Sequence, residues 1–208
     1  MRVGSRAYPA LGERAMHRVM LKRHSISIRK CALLLLALLL GLAADPAYAP
    51  EPAGFWTGPM QGAVPATLAG GTVIHTEDLQ ALLRRGDVVL VDVAPLPRKP
   101  EGLAADASWT PPPHRSIPGS VWLPDVGRGE IEPAYDGWFR ARLAELTEGG
   151  KERPVVLYCH PRCWASWNAA KRAIGYGYRQ VYWYPDGVEG WQDADLPTAT
   201  IKAELPPS

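Results

Sequence analysis

Two cysteines four positions apart, Cys159 and Cys163, carry the chemistry this sequence offers. They lie in VVLYCHPRCWASWNAAKRA, where an apolar, strand-like run ends at Cys159. A loop of five residues, His160, Pro161, Arg162, Cys163 and Trp164, follows, and a helical segment then begins. Open α/β sheets bind ligands at the carboxyl ends of their strands, which is where this loop falls. A loop entering a helix aims several unpaired backbone N–H groups at one spot, with the positive end of the helix dipole behind them. A sulfur held there is stabilised as thiolate, and the same cradle suits a persulfide or an oxyanion. On this reading Cys159 is a low-pKa thiolate that accepts sulfur or is oxidised, and Cys163 resolves it. Arg162 offers a charge-assisted contact to an anionic substrate, and His160 and Trp164 complete the substrate-binding loop. The blander alternative is an inert cysteine at a strand end. A second thiol and an arginine in the same loop weigh against it.

The same pair fits a second chemistry. Two thiolates take soft Cu(I), with His160 as a third ligand, although a histidine beside a reactive cysteine is more often a solvated loop residue. No resident cofactor is expected, only a transient persulfide on Cys159. A c-type haem needs a histidine directly after the second cysteine, and Trp164 stands there. His75 and His114 read as surface or loop residues. Trp164 and Trp167 read as packing or as walls of the loop, and Asp92 as an anchor of loops through hydrogen bonds.

The elements that must position this loop are legible on either side of it. Thr76 reads as the N-cap of a helix through Arg85, with Leu79, Leu82 and Leu83 on one face and Gly86 as its stop. Val88–Val93 is a short apolar run rich in β-branched residues, as suits a parallel strand covered on both faces. A Pro-rich loop over 95–113 precedes a strand at 120–124. Trp138–Leu146 is amphipathic and helical, 154–159 is a buried strand, and a helix from Trp164 closes at Gly175 or Gly177. A last strand spans 180–185, followed by a turn of helix through Trp191. Strands alternating with helices predict an α/β fold with a small central parallel sheet flanked by helices.

The chain's 208 residues divide unevenly. Arg29 and Lys30 precede the apolar run CALLLLALLLGLAA, and Ala47-Tyr48-Ala49 follows, the pattern of a secretory signal peptide. The run is shorter than the roughly 20 residues that cross a bilayer, so no stable membrane span is expected after cleavage. Residues 1–49 read as the signal, cut near 43–49, with Met16 and Met20 as alternative starts. Residues 50–71 read as an extended Pro/Gly-rich arm lying over the domain, 72–200 as the domain, and 201–208 as a tail. The whole chain has 23 Lys and Arg against 21 Asp and Glu. Eight of the basic and two of the acidic residues fall within 1–49, leaving 15 against 19 and a formal charge near −4. No basic run remains to bind nucleic acid. Of three cysteines, Cys31 leaves with the signal. The remaining two close too small a loop to staple a fold.

Several segments carry a family resemblance. Asp92 at the end of the first core strand, Ser116-Ile117-Pro118-Gly119-Ser120, the strand-Cys159-loop-helix unit and Gly187-Val188-Glu189-Gly190-Trp191 together resemble the rhodanese family over residues 72–197. The resemblance implies that Cys159 is the sulfur-accepting cysteine and that the substrate is a small sulfur compound or thiol. CHPRCWASWNAAKRAIGYGYRQVYWYPDGVEGW further resembles rhodanese-like proteins associated with PQQ-dependent catabolism and known by a CXXCW motif, here with three residues between the cysteines. That implies a periplasmic role beside a quinoprotein dehydrogenase or c-type cytochrome, in sulfur transfer, in thiol redox chemistry or as a scaffold. Two departures from the rhodanese pattern argue against ordinary thiosulfate sulfurtransfer. The loop has no glycine and its Pro161 lacks an N–H, and no arginine follows Asp92-Val93.

Overall fold

The computed structural model describes residues 48–104 and 106–207. The export segment expected over 1–49 lies outside them except for Tyr48 and Ala49. No described helix is long and apolar enough to cross a membrane.

Four apolar runs form the strands that the sequence predicts. β1 (Thr72–Val73) is followed by α1 (Thr76–Arg85), β2 (Val89–Asp92), β3 (His114–Ser116) and β4 (Val121–Trp122). Then come α2 (Pro133–Leu146), β5 (Val155–Tyr158), α3 (Trp164–Gly175), β6 (Val181–Tyr184), α4 (Gly187–Asp193) and β7 (Ala199–Ile201). β1, β6, β5, β2 and β4 make one sheet in that order, and every pairing in it is parallel.

Alternate side chains of the central strands feed two cores, because successive residues of a strand point to opposite faces. Val89, Val91, Val155, Leu157, Val181 and Trp183 pack with Phe139 and Leu143 of α2 and with Trp164 and Trp167 of α3. Leu90, Val156, Tyr158 and Tyr184 pack on the other side with Leu79 of α1 and with Val188 and Trp191 of α4. Helices therefore cover both faces, as expected for the α/β class.

Three details differ from the sequence expectation. The cap of α1 is His75 rather than Thr76: its backbone N–H donates to Asp78 Oδ2 at 3.2 Å, and its ring meets Asp186 at 2.8 Å. α2 begins at Pro133, five residues before Trp138, because a proline fits the first helical turn where no N–H partner is needed. A second, antiparallel sheet of β3 and β7 also forms. Past it, Ala203 bridges to Trp122 and Glu204 N–H donates to the Trp122 carbonyl at 2.9 Å. Arg142 of α2 binds the Glu204 carboxylate at 2.5 Å, so the first residues of the tail are fastened to the domain.

The arm lies on α3. Val64 and Leu68 enter the core beside Trp167. The Trp167 indole N–H donates to the Thr67 carbonyl at 3.1 Å, and Lys171 Nζ to that of Pro52 at 3.2 Å.

Candidate functional site

β5 delivers Cys159 at its carboxyl end, and Cys163 is the N-cap of α3. The left-handed turn that brings the chain back falls on Arg162, at φ 55°, where a glycine would be free of strain. Behind the loop, α4 approaches so closely that Val188 N–H donates to the Cys159 carbonyl at 3.0 Å. Only a glycine fits at Gly187. Its φ is +65°, and a Cβ there would lie 2.6 Å from the Cys159 carbonyl oxygen. This gives the GVEGW segment its role, which is to hold the backbone of the cysteine loop from below.

Both thiols are reduced and buried, 1% and 2% exposed. The Cys159 thiol reaches the Cys163 backbone carbonyl at 3.8 Å, and the environments of the two thiols differ. Burial pushes Cys159 well above the ordinary thiol range, and the bond and charge of Cys163 push it further. The Cys159 thiol donates to Cys163 and is the main reason that Cys163 falls to about 7. Backbone N–H groups of Ala165 and His160 and the nearby His160 ring also lower Cys163, against the opposing effect of burial. The lowered thiol is Cys163, whereas the sequence reading placed the lowering on Cys159. The helix N-terminus sits at Cys163, whereas Cys159 follows the end of β5 and does not line the cavity.

The missing N–H at Pro161 does not empty the cradle, because Ala165 in the first turn of α3 and His160 in the loop supply N–H groups. Ser166 adds its side chain, with Oγ 3.2 Å from Cys159 Sγ and 3.2 Å from the Cys163 carbonyl. The indole N–H of Trp183 donates to Ser166 Oγ at 3.0 Å and fixes it.

The other predicted loop residues diverge. His160 Nδ1 pairs with Glu189 Oε1 at 2.7 Å. Among the described residues no three His, Cys, Asp or Glu side chains group as a metal site, so the Cys-Cys-His ligand set is not formed. Arg162 is exposed and absent from the walls of the cavity over the thiols, and only its backbone is engaged. Trp164 is buried, stacked on Trp56 with ring centroids 4.4 Å apart and edge-on to Trp167 at 5.5 Å. Asp92 is fully buried and accepts from His114 Nε2 at 2.7 Å, Ser116 Oγ at 2.6 Å and the Ala94 N–H at 2.9 Å. His114 is thus no loop bystander, since it also stacks on Trp122 at 3.8 Å. Tyr158, beside Cys159, joins the network through Ser116 at 2.6 Å, and burial holds its phenol far above the ordinary range.

The arm is the part of the site that sequence reasoning did not connect to the cysteines. Gln61 pairs antiparallel with Cys163, Trp164 N–H donates to the Met60 carbonyl at 2.8 Å, and Gly62 N–H to that of Arg162 at 3.0 Å. Asn168, buried in α3, clamps Trp56 from both sides. It accepts from the Trp56 N–H at 2.8 Å and donates to its carbonyl at 2.9 Å and to that of Gly127 at 3.0 Å. Between arm and domain a cavity of about 740 Å³ opens, with Cys163 and Ala165 on its floor. Thr57, Met60 and Gln61 of the arm form one wall and Val93, Pro95 and Leu96 the other, with Arg98, Asp125, Arg128 and Glu130 around the rest. Cys159 does not line it. The one advance signal for this wall was the arm's lack of any periodicity of its own.

Residues 75–194 match the rhodanese-like domain, and the chain belongs to that family. Among solved structures it is similar in fold to a thiosulfate sulfurtransferase from Pseudomonas aeruginosa, at 21% identity and a TM-score of 0.43 over 65% of this chain and 21% of that one. A human single-domain sulfurtransferase matches at 22% identity and a TM-score of 0.34, over 58% of this chain and 95% of that one. An Escherichia coli protein described with the 3-mercaptopyruvate sulfotransferases matches at 18% identity and a TM-score of 0.42, over 64% and 53%. The chain thus spans about a fifth of the length of the first of these and about half of the last. The arm lies before the segment that matches the family.

Proposed function

We propose that the protein is a thiol-based sulfur carrier in which Cys163 takes a sulfane sulfur and Cys159 resolves it. The observation that carries this reading is the pair of buried free thiols, Cys159 following β5 and Cys163 capping α3 and lining the cavity. The Cys163 thiolate attacks the outer sulfur of a donor. The donor's sulfur–sulfur bond breaks, the donor leaves with the electron pair, and Cys163 holds a persulfide. An acceptor thiol then takes the outer sulfur. In the absence of an acceptor, Cys159 attacks the inner sulfur, its proton passes to the departing sulfide, and the two cysteines are left as a disulfide for an external thiol to reduce. The family resemblance implies the reverse order, with Cys159 loaded first.

Intact-protein mass spectrometry of the reduced protein after exposure to a persulfide donor tests the order. Cys159→Ser is expected to trap one added sulfur on Cys163, removable by reductant. Sulfur accumulating on Cys159 in Cys163→Ser at the wild-type rate overturns it.

The setting proposed is the periplasm, with a quinoprotein dehydrogenase or c-type cytochrome as neighbour in PQQ-dependent alcohol catabolism. The basic-then-apolar segment at 29–44 and the motif resemblance over 159–191 support it. Ala49 N–H donates to the Val64 carbonyl at 3.0 Å, which favours cleavage nearer Ala43 or Ala44 than after Ala49. Cell fractionation checks the compartment, and growth on alcohols of a strain carrying Cys159→Ser/Cys163→Ser checks the role. The facing thiols also support a second reading, delivery of Cu(I). A reduced protein that fails to compete with a chromogenic chelator for Cu(I) removes that reading.

A further inference from the structure

We infer that the sulfur compound served by this site is an organic persulfide with an apolar body, and that the arm selects it over inorganic thiosulfate. The inference rests on the sulfur-transfer reading above and names the substrate class for it. Three observations support it.

The first is size. A cavity of about 740 Å³ stands over Cys163. Pockets of roughly 300–1,000 Å³ are typical for carbon-based ligands, and an inorganic oxyanion fills only a small part of one.

The second is charge. Arg98 and Arg128 border the cavity, and so do Asp125 and Glu130. Arg128 is held by Asp125 at 3.0 Å. A dianion entering there meets no cationic excess. It also meets a loop in which Pro161 offers no N–H, and Arg162 is not among the residues that line the cavity. The lining includes apolar Met60 on the arm and Val93, Pro95 and Leu96 of the domain, beside the uncharged Thr57 and Gln61.

The third is where the selecting wall comes from. Met60 and Thr57 lie outside the family match, on a segment pinned to the cysteine loop by the bonds of Met60 to Trp164 and Gly62 to Arg162. The wall therefore lies outside the matched segment and is fixed at the backbone against the cysteine loop. A methionine there is a soft surface that adapts to varied alkyl or aryl shapes.

The reaction balances without an outside oxidant. The Cys163 thiolate and R–S–SH give Cys163–S–SH and R–S⁻, with the apolar R group left between Met60 and Leu96 until it departs. A hydrophobic pocket distinguishes ligands by about tenfold or more for each methylene it encloses.

The test uses the reduced full-length protein with two donors, benzyl persulfide and thiosulfate, and reads kcat/KM for loading of Cys163 by mass spectrometry. The expected result is at least a tenfold preference for benzyl persulfide. Met60→Asp and Leu96→Asp should each cut that preference about tenfold, through KM, while the pH profile of Cys163 alkylation shows that the thiol pair is intact. Equal or better use of thiosulfate overturns the inference, and so does a preference that survives both variants. Loading of Cys163 by neither donor overturns the sulfur-transfer reading itself.

Discussion

The indole of Trp56 lies flat on that of Trp164, with ring centroids 4.4 Å apart and planes 11° from parallel. Trp164 follows Cys163 directly, so the arm is stacked on the first residue of the helix that supplies the cradle. Asn168, one turn further on, bonds both the N–H and the carbonyl of Trp56 as a neighbouring strand would. Cover over the thiols and the cradle beneath them therefore hang on the same two turns of α3.

Loosening that stack is expected to expose the thiols. Trp56→Ala removes a half-buried indole and should cost about 2 kcal/mol, less than at a fully buried tryptophan. Asn168→Ala leaves the Trp56 and Gly127 backbone groups unpaired, at about 1–3 kcal/mol. In both variants Cys163 should react with a bulky maleimide at least tenfold faster than in the wild type. Alkylation rates and thermal melts check this, and unchanged rates would show that the arm does not cover Cys163.

Alkylation of Cys163 should rise with pH around a midpoint near 7. Cys159→Ala removes the thiol that donates to Cys163, so the midpoint should move up toward the ordinary thiol range. The linkage has a definite sign. Lowering of Cys163 stabilises the fold above the ordinary thiol pKa, and this contribution is lost as pH falls through about 7. Cys159 acts oppositely: its proton favours the fold below the ordinary thiol pKa, and that contribution is lost as pH rises. Denaturant midpoints of the two single Ala variants across pH 6–10 separate the two effects.

Asp92→Ala should be among the most damaging single changes. It leaves the donors of His114, Ser116 and Ala94 without their buried acceptor. The expected loss is about 3 kcal/mol or more, a fall in Tm of roughly 6–12 °C. Calorimetry reads it directly.

Gly187→Ala should shift the cysteine loop as well as the stability. The backbone there is left-handed, and the new Cβ would meet the Cys159 carbonyl at 2.6 Å. A loss of about 2 kcal/mol is expected, together with an altered pH midpoint for Cys163. The same substitution at Gly137, where a Cβ meets nothing, serves as the control.

Apolar runs and capping residues made the core strands and most helices legible, because a buried parallel strand is almost wholly apolar. β3 and β7 escaped for the same reason: HRS and ATI are three residues each and show no alternation. The cysteine pair was visible from its place between strand and helix. Which sulfur is lowered was not, because it depends on which thiol caps α3 and lines the cavity. Asn168 and Ser166 were not singled out by the sequence and gain their roles only from what the fold sets beside them. The arm, a Pro- and Gly-rich stretch, could be placed over the domain but not on a particular loop.

The bond between Trp56 and Asn168 joins residues 112 positions apart. Contacts so distant along the chain close late, since the entropy of loop closure must be met before they form, whereas β5, the loop and α3 are neighbours in sequence. Refolding should therefore pass through a stage in which the thiols are assembled but bare, and pulse alkylation of Cys163 should capture it before protection sets in. Premature oxidation during maturation is the hazard of that stage, and the speed with which the N-terminal segment docks sets how long it lasts.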